Sequence, residues 1–138
     1  MKPDFRTYFL RGIAHFNARE FWDAHEAWEE IWLGAESDVE QYLQGLIQLA
    51  AAYHHMKRGT FRGGIRLFES AARRLSQFPD PYCGLDRSAA VAAARLHAVW
   101  AADLLARGES EKRIDQADYP QLRLTGNYGD VNPPFDAW

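Results

Sequence analysis

One cysteine, Cys83, stands in 138 residues. No internal disulfide can therefore brace the fold, and the lone thiol fits a reducing compartment. The sequence shows no apolar run approaching the ~20 residues that cross a bilayer, and the N-terminus MKPDFRTYF has no signal-peptide core. The expectation is cytoplasmic residence with no membrane partner. Positive charge is not in excess either, with 16 Lys and Arg against 19 Asp and Glu and a net charge of -3. That balance argues against nucleic acid as a partner, because non-specific affinity for phosphate rests on clustered cations. A limited basic face of Lys57, Arg58, Arg62, Arg66, Arg73 and Arg74 is interrupted by Glu69 and reads as a solvated helix surface.

Convincing strand pairs are also lacking, and what remains is helical. The length suits one domain with a single core, and 47% hydrophobic with 25% charged residues is ordinary for a globular chain. The pattern predicts an all-α fold, a bundle or array of about five helices over residues 1–109, followed by an extended C-terminal arm over 110–138. The first helix runs from an Asp4 cap to about Asn17, with Phe5, Phe9, Ile13 and Phe16 at helical spacing. The second spans about Ala18 to Leu33. The third runs from Ser37 or Asp38 to Arg58 and is closed by Gly59, and the fourth from a Thr60 cap to about Gln77. Pro79 and Pro81 forbid helix in FPDPYCGL. Asp86 then caps an alanine-rich fifth helix that stops at Gly108. The arm is rich in Gly, Pro, Asn and Asp but holds Tyr119, Leu122, Leu124, Tyr128, Phe135 and Trp138. A free tail needs no such side chains, so the arm is expected to pack on the bundle or on a neighbouring subunit in a homo-oligomer. Cys83 reads as a structural or incidental thiol rather than a nucleophile.

The stretch Phe21 to Trp32, FWDAHEAWEEIW, carries the chemistry. At about 100° per residue, Phe21, His25, Trp28 and Trp32 share a stripe with Trp22 and Glu29 at its edge, while Asp23, Ala27 and Glu30 face away. An imidazole and a carboxylate held among tryptophans must be paired or bound, since burying either alone costs several kcal/mol. His25-Glu26-Ala27-Trp28-Glu29 has the form H-E-x-x-E. It departs from the zinc-protease form, H-E-x-x-H, by a carboxylate at the second ligand position. The third helix places His54 toward the interior beside the stripe of Tyr42, Leu46, Leu49, Tyr53 and Met56, with Gln44 and Gln48 on another side.

These residues support two readings. In one, a His–Glu cluster between the second and third helices is a structural polar lock, and the arm mediates self-association or partner binding. The alternative is a small-ligand or divalent-metal site, zinc or manganese, with His25, Glu29 and His54 as ligands and Glu26 as a second acceptor or general base of a hydrolase. Whether the chain is an enzyme stays open at this point, and the first reading is the more economical.

FNAREFWDAHEAWEEIW, QGLIQLAAAYHHMKRGTFRGGIRLFESA and the turn PDPYCGLD together resemble the bacterial and archaeal family named domain of unknown function 309, from about Phe16 to Asp86. The resemblance implies a small all-α protein. It also implies that His25, Glu26, Glu29, Gln44, Gly45, His54, Gly59, Gly64 and Arg66 occupy signature positions. It supplies no activity, and His25, Glu26, Glu29, His54, Gln44 and Arg66 are carried forward as the candidate site cluster.

Overall fold

The computed structural model describes residues 3–35, 37–125, 131 and 133. Five helices fill them in order: α1 (Phe5–Asn17), α2 (Phe21–Trp32), α3 (Ser37–Arg58), α4 (Phe61–Leu75) and α5 (Arg87–Ala106). Each packs chiefly on its neighbours in sequence, and the fold is all-α. Among the described residues the β-type pairings are two isolated bridges, Tyr82 with Leu85 and Leu85 with Leu124.

Two of the expected caps form. Asp4 accepts from Thr7 N at 3.1 Å and Asp86 from Ala89 N at 3.1 Å, each answering one orphan donor of a first helical turn. Thr60 makes no side-chain cap. Its hydroxyl donates back to the His55 carbonyl and pairs with His55 Nδ1, closing the α3–α4 turn instead. The second helix begins three residues later than expected, at Phe21, because the chain turns sharply through Arg19 at φ 63°.

The core is aromatic and joins four helices. Phe16 of α1 meets Phe21 of α2 and Tyr53 of α3 edge-on at 5.0 and 5.7 Å, and Tyr53 meets Phe68 of α4 at 4.8 Å. Such edge-to-face pairs add to the burial of the rings themselves. Gly12 is there for closeness: a Cβ on it would lie 2.1 Å from Trp28 Nε1, the atom that donates to the Phe9 carbonyl at 3.2 Å.

Two expectations change. The buried stripe of α2 is Phe21, Ala24, Ala27, Trp28 and Ile31, so Ala27 faces the core rather than solvent, and His25 and Trp32 sit at the edge of the stripe. Here α1 packs against α2, with Ala27 beside Tyr8, Arg11 and His15. In addition, α5 is long and apolar enough to cross a membrane by length and composition, with mean hydropathy 1.3, because its many alanines score as apolar. One face of it packs in the bundle through Ala90, Ala94, His97, Ala101 and Leu104.

The arm docks on its own bundle as far as Thr125. Ile114, Tyr119 and Leu122 are buried, Asn17 holds Leu122 through both its backbone groups at 2.7 and 3.0 Å, and the Gly84 carbonyl accepts from Thr125 N. Tyr128, Phe135 and Trp138 lie outside the described residues. Cys83 is buried and its thiol is pushed up to about 12 by that burial, which leaves it un-ionised and inert.

Candidate functional site

The seam between α2 and α3 gathers part of the expected cluster. His25 Nε2 lies 2.7 Å from Glu29 Oε1, one turn along the same helix, with the imidazole 16% exposed and the carboxylate 47% exposed. Since the carboxylate accepts, Nε2 is the donating nitrogen of the pair, and the ring's second nitrogen is Nδ1. That Nδ1 is buried and has no partner. Trp22, half exposed, stacks flat on His25 with ring centroids 4.6 Å apart and 15° between planes, and its other neighbour is His54 of α3 at 5.3 Å. The two helices therefore run antiparallel here, the start of α2 against the end of α3. Burial first, then the neighbouring Arg58, His55, Lys57 and His25, hold His54 below the usual imidazole value, so it is neutral near pH 7.

Beside this stack opens a hollow of about 410 Å³, with Trp22 and His54 on its walls, Phe21 below, and Arg19, Lys57 and Arg58 around it. Lys57 donates to the Arg19 carbonyl at 3.1 Å, and Arg19 reaches the Gln116 carbonyl of the arm, so two of the three cations are held in position. Glu20 is the N-cap residue of α2 but makes no side-chain cap, which leaves first-turn N–H groups pointing toward this end of the helix. Glu20 turns instead to His15, 2.9 Å away.

The remaining candidates lie elsewhere. Glu26 is exposed and lines a separate hollow with Tyr8, Arg11, His15 and Glu30, on the α1 side of α2. Gln44 is half-buried on α3 and Arg66 is exposed on α4. His25, Glu29 and His54 do not converge as metal donors. Among the described residues the group whose donor atoms all fall within 4.8 Å of one another is His15, Glu20 and Asp23, at the α1–α2 turn. The α-helical i,i+4 spacing brought His25 and Glu29 together, and the Trp22 indole makes ring contacts with both His25 and His54.

Sequence reasoning missed His97. It is 5% exposed on the buried stripe of α5, and its Nδ1 lies 2.7 Å from the Tyr53 hydroxyl. The available signal was one histidine at the i+3 and i+7 positions of the stripe that starts at Ala90 and Ala94.

Residues 9–67 match the family described as Domain of unknown function (DUF309). An uncharacterized protein of Aquifex aeolicus (strain VF5) is 31% identical over 72 residues, which cover 51% of this chain and 22% of that protein. The match thus covers only about a fifth of the length of that curated relative. No solved structure matches. His25, Glu29, Trp22 and His54 all lie inside the matched segment, and His97 and the arm lie outside it. Over residues 9–67, which are all-α, the chain is similar to the DUF309 family, whose function is unknown.

Proposed function

We propose that the segment similar to DUF309 is a non-catalytic binding module that takes a small anion carrying a planar ring in the hollow at the start of α2. The observation that carries this reading is Trp22: a half-exposed indole, stacked on His25 and braced by His54, at the rim of a hollow bearing three cations. A large aromatic left half in water offers a stacking face, and Arg58, Lys57 and Arg19 with the uncapped end of α2 offer the charge that an anion needs. Acidic Glu20 and Asp23 also line the hollow, and their carboxylates gather with His15.

On this reading His25–Glu29 orients the platform. The hydrogen bond closes within one helix, so it fixes the imidazole under Trp22 and cannot set the register between α2 and α3, as a polar lock would. Self-association through the arm has less to work with than its composition suggested, because residues 110–125 spend Ile114, Tyr119 and Leu122 on their own bundle.

Calorimetric titration of the full chain with adenosine monophosphate, and with adenosine and inorganic phosphate as its separate halves, tests the proposal. Adenosine monophosphate is expected to bind at least about tenfold more tightly than either half, and Trp22→Leu and Arg58→Gln are each expected to remove that advantage. Both side chains are exposed, so the variants keep the fold. Equal affinity for all three ligands, or none for any, overturns it.

A further inference from the structure

A second hollow, of about 600 Å³, lies between α5 and the arm. It falls within the size range of small-molecule sites, roughly 300–1,000 Å³. It shares no wall with the first hollow and lies beyond the DUF309 segment. We infer that it binds a zwitterionic amino acid with a planar aromatic side chain.

One wall is apolar and flat. Leu96 is 66% exposed, which is unusual for a leucine on a packed helix. Trp100 is half-buried beside it and is braced by Phe61 at 6.0 Å and His97 at 6.3 Å, so the indole is held in place before any ligand arrives. His97 closes the end of this wall. Its Nδ1 is paired with the Tyr53 hydroxyl, and the ring also has a hydrogen bond to the Ala93 backbone, so the imidazole is fixed in place. Burial holds this imidazole below its usual value, so the ligand meets a neutral ring.

The opposite wall carries both signs of charge. Arg113 and Lys112 supply cations, Asp115 and Asp118 supply carboxylates, and buried Ile114 and Tyr119 anchor the segment that carries them. The Arg113 guanidinium is fixed by donating to the Ser110 and Lys112 carbonyls and by lying against Gly59, where a Cβ would meet it at 2.5 Å. Lys112 leans on Glu109 at 3.5 Å, so Arg113 is the better placed cation. A ligand of one sign would leave the opposite pair of wall charges without an answer. A molecule with an ammonium for Asp115 and Asp118, a carboxylate for Arg113 and a ring for Trp100 answers all three.

The test is calorimetric titration of the full chain with L-phenylalanine and L-tryptophan, alongside 2-phenylethylamine and 3-phenylpropionate, which each lack one charge. The amino acids are expected to bind about tenfold or more tightly than either analogue. Asp118→Asn is expected to weaken them about tenfold, as is Trp100→Leu, while Trp22→Leu leaves them unchanged. Asp118 is exposed, so its variant keeps the proposal testable even where Trp100→Leu disturbs packing. No heat at about 10 mM amino acid, 2-phenylethylamine or 3-phenylpropionate binding as tightly as the amino acids, or loss of binding in Trp22→Leu would each overturn the inference. The last of these would move the ligand to the other hollow without touching the anion proposal made for it.

Discussion

The Tyr53 hydroxyl and His97 Nδ1 lie 2.7 Å apart and join α3 to α5 inside the core, across 44 positions of sequence. Burial lifts the tyrosine well above its ordinary value and lowers the histidine, so the pair is neutral on both sides near pH 7. Tyr53→Phe removes this hydrogen bond from a buried imidazole, and the expected loss is about 1–3 kcal/mol in urea unfolding.

The same histidine makes stability depend on pH. A base whose folded pKa is depressed binds fewer protons folded than unfolded just below its ordinary value of 6.5. Its contribution is therefore complete above pH about 6.5 and is lost as pH falls from there through the lower folded value. His54 shifts in the same direction but is partly exposed, so it adds less. Asp4 and Asp80 are held below 3.8 by hydrogen bonds and titrate under this window. Melting temperature is expected to drop between pH 7.5 and 5, and His97→Gln should flatten that slope. An unchanged slope would mean that His97 does not couple folding to protons.

Gly12→Ala is expected to destabilise by about 2 kcal/mol or more. The added carbon meets the Trp28 indole at its nitrogen, so the ring must move, and its hydrogen bond to Phe9 goes with it. Both the melting temperature and the near-ultraviolet signal of the tryptophans should change. A wild-type melting temperature would show that α1 and α2 can separate slightly at no cost.

The helices were legible because their signals are local. Asp4 and Asp86 announced their caps, the two prolines announced the break before α5, and the α1 stripe of Phe5, Phe9, Ile13 and Phe16 is buried as its spacing requires. The i,i+4 pairing of His25 with Glu29 was legible for the same reason. The site as a whole was not, since it depends on which face of α2 each neighbour covers. One extra alanine on the core side, Ala27, rotates the buried stripe, sends Glu26 to the α1 hollow and sets Trp22 between His25 and His54. His97 was invisible for a different reason: the alanines of α5 speak for helix formation, and its partner Tyr53 belongs to another helix.

Asn17→Ala is expected to loosen the arm. The Asn17 side chain both donates to the Leu122 carbonyl at 3.0 Å and accepts from its N–H at 2.7 Å, so one substitution removes two hydrogen bonds. A loss of about 2 kcal/mol follows if both buried backbone groups go unanswered. Limited proteolysis should then cut between Glu109 and Thr125 faster than in the parent chain. Equal cutting rates would show that Ile114, Tyr119 and Leu122 alone hold the segment.

Removing the Glu29 carboxylate separates the orienting role from the lock. A cross-helix buried pair, once broken, leaves an unpaired charge or donor and costs about 1–3 kcal/mol. Here the carboxylate is 47% exposed and its bond to His25 closes within α2, so water can replace it at the histidine. Glu29→Gln should therefore cost no more than about 0.5 kcal/mol, the usual size of an i,i+4 helix pair. The effect should appear instead at Trp22, whose indole rests on the imidazole that Glu29 holds. Its fluorescence should become more readily quenched by acrylamide as the stack loosens. A cost above about 1.5 kcal/mol with no change in quenching would restore the lock and remove the platform.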